Sequence, residues 1–166
     1  MNASTVIAVC ATVIAGASWA VSVYEARATR THNRRSVQPL LVLWGKFSPG
    51  ATSGLGVRNS GLGPAKVTDT KLMLDGVELG DLSRSTVDKL RDPLSFPVAA
   101  NTFDGRPFLE AGYEQFLLSV DSYDVARNPG FYDLIESRLR IEIKYDSIYG
   151  GEQFTAVYSA DQPSDP

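Results

Sequence analysis

The sequence predicts a mainly β protein: an N-terminal transmembrane α-helix followed by an antiparallel β-sandwich. Three observations carry this. Thr5 to Tyr24 reads TVIAVCATVIAGASWAVSVY and contains no charged side chain. After Pro39 the apolar residues recur in short runs, many with a period of two, separated by Gly, Pro, Asn and Asp. The long amphipathic helices that a parallel sheet needs as crossovers are missing from that region.

The apolar run comes first because the rest of the chain follows from it. A helix of roughly 20 residues rises about 30 Å, the thickness of a bilayer hydrocarbon core. Trp19 and Tyr24, near its far end, suit the aromatic belt at a membrane–water boundary. Residues 25–38 form a charged stem with no strong helix breaker before Pro39, so the helix is expected to continue through the stem and end at Gln38. Ser4, Ala8, Thr12, Gly16 and Ala20 recur every four residues and form a ridge of small side chains. Such a ridge admits close approach of a second helix, so Ala8, Thr12, Gly16 and Ala20 are a candidate interface for self-association.

Charge gives the orientation. Residues 1–36 carry four arginines (Arg27, Arg30, Arg34, Arg35) against Glu25, a net of +3. Residues 37–166 hold twelve basic and eighteen acidic side chains, a net of −6. A basic cluster directly after a span matches anionic headgroups and the positive-inside rule, which puts the β domain in the cytoplasm at an inner or plasma membrane. The rival reading is a signal peptide cut after Ala20, at Ser18-Trp19-Ala20, which would export the domain. An acidic domain lacks the clustered Lys and Arg that nucleic acid requires, so the partners expected are the lipid bilayer and another protein. His32, the only histidine, sits among arginines on the stem and reads as a solvated side chain.

The β domain is expected over residues 39–160, with a polar tail at 161–166. Leu40 to Trp44 is apolar on both faces and reads as a buried strand continuing to Phe47. Gly54 to Asn59 places Leu55, Val57 and Asn59 on one side. Ala65 to Leu74 changes apolar phase near Asp69, which predicts a bulge. Asp75-Gly76 predicts a hairpin turn into Val77-Glu78-Leu79. Asp81 to Arg91 has an imperfect helical stripe of Leu82, Val87 and Leu90, and a long connection containing Pro93, Pro97 and Pro107 follows. Gln115 to Val120 alternates, with Phe116, Leu118 and Val120 expected inward. Phe131 to Glu136 reads as a single helical turn. Arg138 to Tyr145 has the clearest period of two, with Leu139, Ile141, Ile143 and Tyr145 on the core face. Glu152 to Ser159 pairs back, with Phe154, Ala156 and Tyr158 inward.

One turn is distinctive. In Asn59-Ser60-Gly61-Leu62-Gly63-Pro64-Ala65, Gly61 and Gly63 permit positive φ and Pro64 fixes the exit. Ala65 lets the next strand pack closely, and the Asn59 amide can bond the turn backbone. No Lys-Ser/Thr and no helix follow it, so it is not a phosphate loop. Pro39-Leu40, this N-x-G-x-G-P-A motif and Ile143-Lys144-Tyr145-Asp146-Ser147-Ile148-Tyr149-Gly150 together resemble a group of uncharacterised bacterial and prophage single-pass membrane proteins. The resemblance covers about residues 5–160. It implies an immunoglobulin-like sandwich behind a membrane helix and a charged stem, and implies no activity. Gly151 departs from the pattern, which has a polar residue directly after the Tyr-Gly turn.

The chemistry available is narrow. Cys10 lies in the span and His32 on the stem, so the β domain has neither cysteine nor histidine. This removes disulfides, nucleophile–histidine catalysis and Cys/His zinc sites from it. Asp121 with Asp124, and Asp75 with Glu78 and Asp81, have no recognised calcium-loop spacing and read as solvated surface. No cofactor or metal and no catalytic residue is expected. Tyr145, Tyr149 and Tyr158 near the last hairpin form a candidate protein-binding patch, against plain core packing. The reading that results is a membrane-anchored, non-enzymatic protein-binding or structural module within a bacterial or prophage membrane complex. An exported envelope ligand-binding domain is the alternative, and a carboxylate-only hydrolase comes third.

Overall fold

A proline closes the helical part of the chain. The first helix, α1, runs from Ala3 to Ser36, and Val37 leaves helical geometry with φ −120° just before Gln38-Pro39. The computed structural model describes residues 2–105 and 107–159, and of residues 9, 10 and 30–36 the backbone alone. The side chains of Cys10, Arg30, His32, Arg34 and Arg35 and the tail 161–166 therefore lie outside the described residues. The chain divides into two compact units, Met1–Val37 and Gln38–Pro166. In the first, Ala3–Thr29 is long and apolar enough to cross a membrane, with a mean hydropathy of 2.1 and no buried residue in its most apolar window.

The second unit is built from strands β1 (Leu41–Lys46), β2 (Ser53–Asn59), β3 (Ala65–Leu74), β4 (Val77–Gly80), β5 (Ala99–Ala100), β6 (Phe108–Leu109), β7 (Glu114–Val120), β8 (Leu139–Ser147) and β9 (Gln153–Tyr158). Two helices interrupt them, α2 (Arg84–Arg91) and the short α3 (Phe131–Asp133), the latter continuing into a π-helical turn at Leu134–Arg138. The strands make two antiparallel sheets, in the orders β1-β2-β7-β5 and β4-β3-β8-β9, with β6 beside β3. One hydrophobic core serves both. It takes Leu55, Val57 and Leu118 from the first sheet and Leu72, Ile141 and Ile143 from the second, with Val87 and Leu90 of α2 and Phe131 and Ile135 at its margins.

Local sequence explains most of these elements. β8 alternates strictly, burying Leu139, Ile141, Ile143, Tyr145 and Ser147. β3 carries the bulge expected near Asp69, where its pairing with β8 shifts between Val67 and Asp69. Asp75 and Gly76 both have positive φ, +51° and +78°, as the two central residues of a type I′ hairpin turn must.

Two expectations need correction. Phe116 does not face the core with Leu118 and Val120. Leu55 pairs with Leu118 and Gly56 with Phe116, so Leu117 is an extra residue in β7 and the alternation reverses there. Phe116 instead lies on the outer face, edge-on to Trp44 with ring centroids 4.9 Å apart. β1 is likewise not buried on both faces. Leu41 is buried and Leu43 packs against the core, but Trp44 lies over Gly56 on the outer side and Leu40, just ahead of the strand, is exposed. The Trp44 indole Nε1 is buried and has no acceptor among the described residues.

Candidate functional site

The registers place four segments at one end of the β domain. Leu41 pairs with Asn59, Arg58 with Glu114, Ala65 with both Leu109 and Ser147, and Asp146 with Gln153. This pole therefore gathers the entry of the chain at Gln38–Leu41, the turn at Asn59–Ala65, the segment at Phe108–Tyr113 and the β8–β9 hairpin at Ser147–Gln153. The Gln38 amide Nε2 donates to Glu152 Oε2 at 3.1 Å, which ties the first and last of these together.

Asn59 is the centre of the pole and is fully buried. Its Oδ1 accepts from the backbone N–H groups of Leu40 and Gly61, at 3.1 and 3.0 Å. Its Nδ2 donates to the carbonyls of Gly63, Leu109 and Glu110, at 2.9, 3.0 and 3.1 Å. Two amide protons facing three carbonyls means that one N–H is shared. The Asn59 backbone adds a bond from its N–H to the Tyr113 carbonyl and accepts another from Gly112 N–H. One carboxamide thus does for three loops what a ladder does for strands, satisfying backbone groups that burial would otherwise strand.

The other motif residues serve the same joint, by a different route from the one expected. Neither Gly61 nor Gly63 has a positive φ. Gly61 is needed for space: a Cβ there would stand 2.6 Å from the Pro39 carbonyl carbon and also collide with Gln38 O and Leu40 N. Gly63 is buried and presents its carbonyl to Asn59. Pro64 is half-buried, and Ala65 is fully buried between β6 and β8.

The three tyrosines do not form one patch. Tyr145 is 3% exposed, stacks on Phe154 with ring centroids 5.5 Å apart, and accepts at its hydroxyl from Leu41 N–H at 3.1 Å. Tyr158, half-buried at the other end of β9, donates to Glu136 Oε1 at 2.8 Å. Burial first, then that bond and the Glu136 charge, push its phenol above the ordinary tyrosine range. Tyr149 alone stands out into solvent, 48% exposed in the β8–β9 turn. On α1, Ala8, Thr12, Gly16 and Ala20 are all exposed, and Thr12 Oγ1 donates to Ala8 O at 2.9 Å.

The acidic side chains noted in sequence have structural partners. Asp75 makes a two-pronged pair with Arg138, at 2.9 and 2.6 Å, and that bond holds its carboxyl below the ordinary range. Glu78 lies 3.9 Å from Lys71, Asp81 accepts from Thr86, Asp121 accepts from Thr52, and Asp124 receives the N–H groups of Ala126 and Arg127. Among the described residues no three of His, Cys, Asp and Glu lie together as a metal site would require.

Sequence reading misses the apolar rim of this pole: Leu40, Leu62, Phe108 and Ile148, which join Tyr149 as exposed side chains. Leu62 carries a legible signal, since a leucine in a Ser-Gly-Leu-Gly-Pro turn belongs to no apolar period. No protein-family model matches the chain, and no curated protein matches it.

Proposed function

We propose that the chain is a single-pass membrane protein whose β domain is a non-enzymatic binding or structural module held at the bilayer. The observation that carries this is the exposed 27-residue apolar helix Ala3–Thr29 ahead of a self-contained two-sheet domain. A helix apolar on every side is stable when lipid surrounds it. Arg27 in the last turn of that stretch and Arg30, Arg34 and Arg35 after it favour a cytoplasmic domain.

We read the domain as an immunoglobulin-like sandwich. Taking β1, β2, β7 and β5 as strands A, B, E and D gives the order A-B-E-D, and β3, β8 and β9 as C, F and G give C-F-G with β4 added outside C. The inter-sheet disulfide of antibody domains has no counterpart, since the domain lacks cysteine. Non-enzymatic use is supported by the absence of histidine and cysteine from the domain sequence and by carboxylates already engaged in local bonds. Among the described residues β9 hydrogen-bonds only to β8, and β1 runs close beside it, so the protein partner is not assigned to a strand edge.

Carbonate washing of membranes tests the anchor. The intact chain is expected in the pellet, with its amino terminus in place. A soluble mature form beginning near Val21 would establish the exported reading instead. Affinity capture of the full chain from native membranes is expected to bring down a protein partner, and capture of none would remove the binding reading.

A further inference from the structure

Among the described residues, eight large apolar side chains are exposed in the β domain: Leu40, Leu62, Val77, Phe108, Val125, Tyr132, Ile148 and Tyr149. Five of them, Leu40, Leu62, Phe108, Ile148 and Tyr149, belong to the Asn59 pole and are 48–78% exposed. They come from four separate segments, so no single amphipathic element explains their convergence. Scattered surface hydrophobes are ordinary, but a set gathered at one pole marks a contact surface.

We infer that this pole is a lipid seat: its apolar tips insert at the headgroup–acyl boundary of the bilayer that anchors the chain. The inference rests on the anchor reading above. Connectivity selects the occupant. The β domain begins at Gln38, which is itself part of the pole through its bond to Glu152. Thirteen residues separate Tyr24, the last residue of the uncharged run, from Gln38. They span roughly 20 Å as helix and about 45 Å fully extended. The pole is therefore always within a short tether of the membrane surface, where effective concentration favours even weak insertion. Side-chain type agrees, since one tyrosine and four aliphatic or aromatic tips on loops match the composition of interfacial anchors.

Among the described residues the rim charges are Arg58 and Lys66 against Glu110, Glu114, Asp146 and Glu152. This acidic excess gives no attraction to anionic lipid, so insertion is driven by apolar contact and added salt is expected not to weaken it. Asn59 is the positioning residue, because its bonds to Leu40, Gly61, Gly63 and Leu109 tie three of the four segments together.

The test uses the full chain carrying Cys10→Ala in vesicles of phosphatidylethanolamine and phosphatidylglycerol. A single environment-sensitive fluorophore is attached through Leu62→Cys at the pole, or through Val77→Cys on the β3–β4 turn at the opposite end. With the seat, the Leu62 label emits to the blue of the Val77 label. Lipid spin-labelled just below the headgroup quenches it several-fold more, at low and high salt alike. Both labels reporting water, on a chain that floats with the vesicles, would overturn the seat and leave the anchor standing. A blue-shifted Leu62 label that spin-labelled lipid does not quench, with crosslinks between copies, would show a chain–chain contact and overturn it too. A chain that does not float removes the anchor and the seat together.

Discussion

Asn59 Oδ1 accepts the backbone N–H of Leu40 at 3.1 Å, which fixes the entry of the chain into the β domain to the end of β2. That bond is one of five made by a single buried carboxamide. A turn bond alone would put Asn59→Ala near about 1 kcal/mol. Stranding the N–H groups of Leu40 and Gly61 and the carbonyls of Gly63 and Leu109, while the Glu110 carbonyl keeps the Tyr113 N–H, raises the expected loss to about 3 kcal/mol. Asn59→Asp, which keeps the acceptor but loses the donor and buries a charge, is expected to be at least as damaging. Thermal unfolding of the full chain in detergent checks both, and a loss below about 1 kcal/mol would mean water replaces the amide.

Trp44 and Gly56 are the second pair to separate. A Cβ on Gly56 would stand 2.6 Å from Trp44 Cε2 and would also meet Cζ2. Gly56→Ala therefore displaces the indole from Phe116, at an expected cost of about 1–3 kcal/mol. Trp44→Ala should remove most of that penalty, so the double variant is less destabilised than the sum of the two singles. Strict additivity in the cycle would show that the clash is absorbed elsewhere.

Tyr158 makes a pH prediction. Burial and Glu136 raise its folded pKa, so the fold favours the protonated phenol. Its contribution is complete below the unfolded value of about 10 and is lost as pH rises past that value. The parent should lose melting temperature more steeply above about pH 10 than Tyr158→Phe does. Parallel curves would place the alkaline loss in other groups.

The small-residue ridge on α1 predicts association within the membrane. A Cβ added at Gly16 would meet no heavy atom within 4 Å beyond the neighbouring backbone of its own helix, so Gly16→Ile points into open space among the described residues. It should nevertheless block close approach of a second helix and lower energy transfer between labelled copies in vesicles. Unchanged transfer would leave the ridge without a role in association.

Periodicity carries the sequence reading where one residue type repeats on one face. β8 and β9 are legible for that reason, and the phase change at Asp69 even marks the bulge in β3. β7 misleads because its bulge at Leu117 leaves no trace in a run that is apolar throughout, Phe116-Leu117-Leu118. The strands β5 and β6 are two residues each, too short for a period, and exist only because β7 and β3 supply partners. At the site, the bond from Asn59 to Gly63 is local and foreseeable in kind. Its bonds to Leu109 and Glu110 span 50 and 51 residues and depend on tertiary placement. The tyrosines fail as a set because hydroxyl partners, and not ring chemistry, decide their positions: Leu41 holds Tyr145 inside and Glu136 holds Tyr158 at the opposite end.

Gly61 gives the sharpest test of how the motif works. Its φ is not positive, so left-handed strain cannot be the reason for glycine there. The atoms that a Cβ would strike are all backbone: Gln38 O, Leu40 N and the Pro39 carbonyl carbon. A flexible side chain could swing aside, but this segment is fixed by Pro39 and by the bond from Leu40 N–H to Asn59. Gly61→Ala must therefore push the entry segment away from the turn and break that bond, costing about 2–4 kcal/mol from overpacking and the stranded donor together. For a domain of this size that lowers the melting temperature by about 8–16 °C. Gly150→Ala is the control. It sits at φ +65° with nothing within 4 Å, so it meets only conformational strain of about 1 kcal/mol. If Gly150→Ala proves the more damaging of the two, the turn would be governed by backbone conformation and the close packing of Gly61 on Pro39 would not be what holds the pole together.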